Sequence, residues 1–222
     1  MLIIILLLNL YCVCVLTQTS KVAPQSTATI DDGTYCLLFQ RVARDPAVYH
    51  NTYKDKRSQK CKLNVLGGQQ QAIFNYRLNN PSVPKNMPAL PVLDSANTII
   101  TRDNLDRGNL PPISALIYAK KLGGGEYSNT IAGQVLGASL GGTGIEITNI
   151  IPMAKETQIE YLLFEKTIHD CLANYKADKA SLSWVLLYRQ TSDSRPFKIT
   201  YRVEYKNGID ECKNGVSKIF LN

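Results

Sequence analysis

The stretch AGQVLGASLGGTGIEITNIIPM, residues 132–153, decides the fold, because the pattern of the chain changes on either side of it. Its centre, LGGTG at 140–144, is rich in glycine, which permits a tight turn and also lets backbone amides approach an anion. A nucleotide-binding P-loop would need a lysine followed by Ser or Thr, and that combination is absent here. The glycines therefore predict a tight turn between two structural elements.

Beyond Pro152 the chain changes to a helical repeat. Apolar residues recur at helical spacing and predict an amphipathic helix over 156–177; they are Ile159, Leu162, Leu163, Ile168, Cys171, Leu172 and Tyr175. The runs SLSWVLLYRQ and RPFKITYRVEYKNG then predict two β-strands joined by the turn TSDS, with the next turn at Asn207 and Gly208. This order predicts an α+β fold in which a helix packs on an antiparallel β-sheet.

The residues before the stretch carry weaker patterns. Residues 33–42 and 71–78 have strand composition. The charged run 49–65 predicts a solvated face, and the prolines of 81–91 predict a connector. The polar, glycine-rich residues 103–131 predict an irregular region that leads into the central stretch.

The first 17 residues, MLIIILLLNLYCVCVLT, form an uncharged apolar run that is typical of a secretory signal peptide. An uncleaved signal anchor is the alternative, although about twenty apolar residues are needed to span a bilayer. After cleavage, residues 18–94 are expected to supply strands and a connector, within the same globular unit as a domain over 95–222. We expect a secreted, extracellular protein without stable membrane association after signal cleavage.

Signal cleavage would leave four cysteines, Cys36, Cys61, Cys171 and Cys212. An even number of cysteines in an oxidising compartment predicts two disulfides. Three connectivities are possible, and we favour Cys36–Cys61 and Cys171–Cys212, because each pair joins segments that look like neighbouring elements. The spacing shows no CxxC pair or His/Cys cluster, which argues against a zinc site.

The composition indicates one globular domain with a basic surface. Hydrophobic residues make up 45% of the chain, which is enough for a substantial core. The formal net charge of +7 favours polyanionic partners such as nucleic acid, anionic glycans or membrane surfaces. Charge alone does not choose among them, and secreted proteins without a polyanion role are often basic too.

The string AGQVLGASLGGTG, followed by NIIPM, resembles the active-site cassette of the DNA/RNA non-specific endonucleases of the ββα-metal group. The similarity is greatest to the branch of nuclease toxin domains from bacterial type VII secretion systems, in which AGH precedes a glycine-rich turn and then NLVPM. The later run RPFKITYRVEYKNG resembles the closing strands of that branch. The resemblance implies a ββα-metal (His-Me finger) nuclease-like core, with metal-dependent phosphodiester hydrolysis as the ancestral chemistry.

In that family the residue after AG is a histidine, the general base that takes a proton from the attacking water. This chain has Gln134 at the position. A carboxamide can orient a water molecule but cannot accept its proton, so the change removes a factor of about 100 to 10,000 in rate. Only His50 and His169 remain as substitutes for the base, and neither lies in a motif.

The resemblance places the metal ligand, an asparagine in the family, at Gln158, nine residues beyond the motif residue Asn149. Glutamine carries its carbonyl oxygen one methylene further out, and Mg²⁺ demands near-octahedral geometry. The family's helical glutamate, which contributes to the water shell of the metal, corresponds best to Glu165 if one residue is deleted near Glu160. Mg²⁺ is therefore the expected cofactor only if the protein is active.

A second alignment is possible, because DRGNLPP at 106–112 resembles the DRGHLAP string of the larger branch of these endonucleases. Asn109 would then replace the histidine. About forty residues separate Asn109 from Asn149, more than the family allows, so we favour the alignment on Gln134. The histidine is missing in either case.

Two functions remain open. The first is a secreted nuclease-like pseudoenzyme that still binds nucleic acid through basic residues; the candidates are Arg102, Arg107, Lys120, Lys121 and Lys155. The second is a secreted, disulfide-stabilised interaction or effector protein that uses the nuclease fold as a scaffold for an unknown extracellular protein. An active nuclease with a rearranged base ranks third.

Overall fold

The computed structural model describes residues 58–78, 91–123, 129–190 and 193–222. In chain order its elements are β1 (Ser58–Asn64), β2 (Gln71–Leu78), β3 (Pro91–Thr101), α1 (Ile113–Leu122), β4 (Thr130–Gln134), β5 (Ile150–Ala154), α2 (Lys155–Ala173), β6 (Lys179–Leu187), β7 (Lys198–Lys206) and β8 (Val216–Leu221). In this part of the chain the strands form a six-stranded antiparallel sheet, β1-β2-β3-β6-β7-β8, and a separate β4-β5 hairpin. The predicted α+β fold with a helix against an antiparallel sheet is confirmed.

The core lies between one face of the large sheet and α2. Buried and more exposed residues alternate along β6 and β7, as expected for strands with one face covered. Tyr201 of β7 lies under α2, with its ring centroid 5.3 Å from that of Tyr161 and 5.1 Å from that of Phe164. Trp184 of β6 stacks at 4.6 Å on the other side of Tyr201. Large aromatic side chains therefore fix the position of α2.

The predicted strand over 71–78 is confirmed as β2, but two further strands of the N-terminal half were not predicted. Part of the charged run 49–65 forms β1, because Cys61 and Leu63 alternate with polar residues and point into the core. The strand β3 was not predicted, although it pairs with both β2 and β6 near the middle of the sheet. The expected boundary between 94 and 95 falls inside this strand.

The irregular region expected over 103–131 is also wrong, because it contains the helix α1. The sequence signal was present: Pro111 and Pro112 precede the helix, two lysines occupy its last turn, and Gly123 follows it. Its buried residues are alanines, Ala115 and Ala119, with Leu122. Small inward-facing residues gave no apolar stripe for the periodicity to detect.

Downstream of the hairpin the predictions agree more closely. The helix predicted over 156–177 is α2, which ends at Ala173, and Tyr175 beyond it has a left-handed φ of 59°. The predicted apolar face is wrong in part: Ile159, Leu162 and Leu163 are exposed, because Tyr161 and Phe164 fill the inner face of the helix. The two predicted strands pair in antiparallel register as β6 and β7. Asn207 takes the left-handed φ of 54° expected at the turn after β7.

The predicted disulfide between Cys171 and Cys212 is present and ties the end of α2 to the turn before β8. Cys61 is also disulfide-bonded, but Cys36 lies outside the described residues, so the Cys36–Cys61 pairing stays a prediction. The signal segment 1–17, the strand over 33–42 and nearly all of the connector 81–91 lie outside them as well. Within the described ranges, no helix has the length and hydropathy needed to cross a membrane.

Candidate functional site

The central stretch forms a ββα unit. β4 and β5 pair antiparallel, with Gln134 opposite Ile150, and α2 follows β5 directly. One face of this hairpin carries Ala132 and Ile150, which pack against the alanines of α1. The other face carries Ile131, Ile151 and Met153 and belongs to the main core that contains α2. The two helices therefore cover opposite faces of the hairpin.

The glycine-rich loop between β4 and β5 forms a tight turn. Gly141 has a φ of 88°, in the left-handed region that favours glycine. The amide groups of the loop already donate to acceptors within the protein. The Gly137 amide donates to the Glu165 side chain, and the Gly144 amide donates to the Asn109 carbonyl. The amides of Leu140 and Gly142 donate to the Gly137 carbonyl, and that of Gly141 donates to the Ala138 carbonyl. A phosphate would find few free donors here, so the structure supports the predicted tight turn over an anion cradle.

The side chain of Asn149 holds this loop together through hydrogen bonds to its backbone. It is 1% exposed, and its Oδ1 accepts the amide hydrogen of Leu136 at 2.9 Å. Its Nδ2 donates to the carbonyl oxygens of Leu136 at 2.8 Å and Thr143 at 2.9 Å. Because the amide is fully used by the backbone, Asn149 shapes the turn and does not face a substrate.

Gln134, at the general-base position, is buried and held by backbone carbonyls. Its Nε2 donates to the oxygen of Asn109 at 3.0 Å and to that of Gly142 at 3.4 Å. Alternation along β4 puts Gln134 on the same face as Ala132, beneath the segment that leads into α1. The two alternative histidine positions, Gln134 and Asn109, are therefore neighbours in space.

Glu165 is fully buried on the other side of the loop. Its Oε1 accepts the amide hydrogen of Gly137 at 2.9 Å, and a Cβ added at Gly137 would collide with its carboxylate. Burial raises the pKa of Glu165 to about 8, and the Gly137 hydrogen bond offsets only part of that effect. The carboxyl group is thus mostly uncharged at neutral pH. Its Oε2 has no hydrogen-bond partner in the described part of the protein.

The residues at the metal position do not fit a magnesium ion. Gln158 is half-buried in the first turns of α2, and no hydrogen bond to its side chain is found among the described residues. Those residues contain no group of three His, Cys, Asp or Glu side chains able to hold a metal. Glu165, which the resemblance assigns to the water shell of the metal, is fully buried and accepts the Gly137 amide hydrogen. Since α2 packs on the face opposite Gln134, the structure does not bring Gln134, Gln158 and Glu165 into one cleft.

The basic candidates separate into three groups. Arg102 is committed to the fold, because its Nε donates to the carbonyl of Leu172 at 3.0 Å and its guanidinium lies 3.3 Å from the ring centroid of Tyr175. Arg107 is exposed beside Gly67, away from the others. The remaining three, Lys120, Lys121 and Lys155, are exposed.

The three exposed lysines lie at the Thr130 end of the hairpin. Gly123, just after the α1 lysines, lies next to Thr130, while Lys155 follows Ala154, the strand partner of Thr130. Arg195, which the sequence analysis missed, donates from Nη1 to Thr130 Oγ1 at 3.0 Å. We call Lys120, Lys121, Lys155 and Arg195 the basic cluster. It lies about 13 Å from Gln134, at about 3.3 Å per residue along β4.

The side chain of His169 lies between two aspartate carboxylates. Its Nε2 lies 3.0 Å from Asp106 Oδ2, and its Nδ1 lies 3.5 Å from Asp170 Oδ1. Both ring nitrogens therefore face carboxylates, and the contact with Asp106 joins α2 to the loop before α1. This arrangement agrees with the expectation that His169 is no substitute base; His50 lies outside the described residues.

No family model matches the chain, and no curated protein matches it. Among solved structures it is similar to NucA from Streptococcus agalactiae with no metal bound, at 12% identity and a TM-score of 0.40, over 73% of this chain and 87% of that one. It is also similar to the same protein with magnesium ion bound, at 13% identity and a TM-score of 0.42, over 82% and 96%. Likeness at this level assigns no function to the chain.

Proposed function

We propose that this protein is a secreted, nuclease-like pseudoenzyme that binds nucleic acid and does not hydrolyse it. The observation that carries the proposal is the state of Gln134. The residue at the general-base position is a carboxamide whose nitrogen is held by two backbone carbonyls, beneath the segment that leads into α1. Such a group neither accepts a proton nor turns toward an attacking water.

The other chemical positions support the same conclusion. Glu165 is fully buried in the core and its carboxyl group accepts the amide hydrogen of Gly137, so it is not open to a hydrated metal ion. Gln158 carries its carbonyl oxygen one methylene further from the backbone than the family's asparagine does, which disfavours the near-octahedral geometry that Mg²⁺ demands. No hydrolytic step through a metal ion is therefore assigned to these residues.

Binding of nucleic acid rests on the basic cluster and on the net charge of +7. Lys120, Lys121 and Lys155 are exposed beside Arg195, although the exposed Glu156 lies among them and accepts a hydrogen bond from Asn129 at 3.3 Å. Clustered lysines and arginines bind phosphates without selecting a base sequence. Secretion is proposed from the apolar segment 1–17 and agrees with the Cys171–Cys212 disulfide.

The second candidate is a secreted interaction or effector protein that uses the fold as a scaffold. The observation that favours it is a group of aliphatic side chains exposed on one face of α2: Ile159, Leu162 and Leu163. Measured binding to nucleic acid separates the two candidates.

The test of catalysis compares the mature protein with a Gln134→His/Gln158→Asn double variant on plasmid DNA and on RNA, with Mg²⁺ or Mn²⁺. We expect no cleavage by the unmodified protein above a buffer blank. Cleavage gained only by the double variant would identify the two positions as the lost machinery. Rapid cleavage by the unmodified protein would contradict the proposal.

The test of binding measures affinity for single- and double-stranded DNA as salt is raised. Removing two phosphate contacts with Lys120→Gln/Lys121→Gln should lower the slope of log K against log salt by about 2. Lys206→Gln/Lys213→Gln is the matched control, because Lys206 is exposed at the end of β7 remote from Arg195. If the unmodified protein binds no nucleic acid at low salt, the scaffold function is favoured.

A further inference from the structure

Four large aliphatic side chains are exposed around the start of α1: Leu110 (79% exposed), Ile113 (78%), Ile117 (52%) and Ile145 (65%). Ile113 and Ile117 are one helical turn apart and share a face of α1. The Gly144 amide donates to the Asn109 carbonyl at 2.9 Å, which brings Ile145 next to Leu110. We call these four residues the aliphatic patch.

The patch reverses the usual amphipathic order of a surface helix. α1 turns Ala115 and Ala119 toward the hairpin and Ile113 and Ile117 toward solvent. Single exposed apolar residues are ordinary, but adjacent ones of this size mark surfaces that meet a protein or a membrane. Among the described residues no element covers these four side chains, so the surface is open to a partner.

The charges beside the patch indicate which partner fits. Residues 107–123 contain Arg107, Lys120 and Lys121 and no Asp or Glu, and the exposed Glu156 is an acidic residue near the two lysines. The two lysines continue the Ile113–Ile117 face into the last turn of α1. A second copy of the chain would bring two positive surfaces together, which is unfavourable.

A protein partner fits less well than a lipid surface. Protein interfaces are enriched in Trp, Tyr and Arg at their energetic centres and depleted in Lys. The patch contains only Leu and Ile, and lysines flank it. Aliphatic side chains followed by lysines match a membrane surface, where the apolar groups enter the acyl boundary and the ammonium groups stay with anionic headgroups.

We propose that the aliphatic patch and the α1 lysines bind reversibly to the surface of an anionic phospholipid bilayer. α1 lies along the surface, with Leu110 and Ile113 entering it and Lys120 and Lys121 at the headgroups. Such binding is reversible and sensitive to salt, so it differs from the stable membrane association that was not expected from the sequence.

The test is cosedimentation of the mature protein with vesicles of phosphatidylcholine, with and without phosphatidylserine. We expect binding to the vesicles that contain phosphatidylserine and its loss at high salt. Lys120→Gln/Lys121→Gln should lower the partition coefficient by roughly twentyfold, because each basic residue near an anionic surface contributes a factor of roughly five. Ile113→Ser/Ile117→Ser should lower it by roughly tenfold or more, through lost apolar burial.

The matched control is Ile159→Ser/Leu163→Ser on α2, where both side chains are also exposed. This variant should bind vesicles as the unmodified protein does, and circular dichroism should show that all the variants are folded. The Ile113→Ser/Ile117→Ser variant should keep its affinity for DNA, which separates failure here from failure of the proposed function.

Four results would overturn the proposal. The first is no binding to either kind of vesicle, and the second is equal binding to phosphatidylcholine alone. The third is binding that persists in Ile113→Ser/Ile117→Ser. A concentration-dependent dimer that disappears in this variant would also overturn it, by assigning the patch to a second copy.

Discussion

The two faces of the β4–β5 hairpin are packed in opposite ways. The α2 face joins a large core in which Tyr161, Ile168 and Trp184 are at most 2% exposed. The apolar cluster on the α1 face contains three alanines and one isoleucine as its buried residues: Ala115, Ala119, Ala132 and Ile150. Burial of apolar area is the main favourable term in folding, so the α2 face carries most of the stability of this unit.

The difference also separates the sites. Glu165 is buried on the α2 face of the hairpin, where a charge is costly. Gln134 lies on the α1 face, beneath a segment that contributes little to stability. Changes on the α2 face should therefore alter the global free energy of unfolding. Changes on the α1 face should act locally.

The largest expected effect is the pH dependence that comes from Glu165. Its pKa is about 8 in the folded protein, against 4.5 as the ordinary value. Below pH 4.5 both states are protonated; as pH rises toward 8 the unfolded state ionises while the folded state does not, so stability is lost. At about 1.4 kcal/mol per pH unit, the loss across this window is on the order of 5 kcal/mol.

This prediction is checked by urea denaturation of the unmodified protein and Glu165→Gln at several values between pH 5 and pH 8.5. The glutamine variant cannot ionise, so its stability should change much less with pH. Glu160→Gln is the matched control, since Glu160 is exposed on the same helix. Equal pH dependence in all three proteins would show that Glu165 is ionised in the folded state.

The next effect compares an isoleucine from each helix. Ile168→Ala in α2 leaves a cavity beside fully buried neighbours and should cost about 2–5 kcal/mol. Ile117→Ala in α1 removes a side chain that is 52% exposed and should change stability by at most about 0.5 kcal/mol. Similar denaturation midpoints for the two variants would remove the contrast between the faces.

A third effect concerns the disulfide on the α2 side. Cys171 and Cys212 are 41 residues apart in sequence, so their bond restricts the unfolded chain considerably. The double variant Cys171→Ala/Cys212→Ala should lose about 2–4 kcal/mol. Denaturation under non-reducing conditions measures the loss, and a change below about 0.5 kcal/mol would mean that α2 is held in place by its aromatic contacts alone.

These contrasts also explain what could be predicted from the sequence. The alternation in β6 and β7 was visible because large apolar residues mark their buried face. The helix α2 was located from apolar residues at helical spacing, but only some of them, such as Ile168 and Leu172, lie on its inner face, whereas Ile159, Leu162 and Leu163 are exposed. α1 was missed because Ala115 and Ala119 face inward while Ile113 and Ile117 face outward. Its apolar residues do not mark its buried side.

At the site, the motif located the positions but not their surroundings. Gln134, Asn149 and Glu165 do contact one loop. The burial of Glu165 depends on long-range packing of α2 against β7. The position of the Arg102 side chain depends on its hydrogen bond to Leu172, a residue that is distant from it in sequence. Such packing leaves no local signal, so the commitment of Arg102 to the fold could not be anticipated.

The last and smallest expected loss of stability tests the α1 face directly. Gln134→Ala removes the donor to Asn109 and Gly142, and loss of these hydrogen bonds should cost only about 1–2 kcal/mol. The consequence should be local, because these bonds hold the segment before α1 in place. Hydrogen exchange should accelerate in the amides of α1 while those of α2 keep their protection. Gln158→Ala is the control and should change neither helix. If exchange accelerates equally in α1 and α2, the two faces open together and the α1 face is no separate unit.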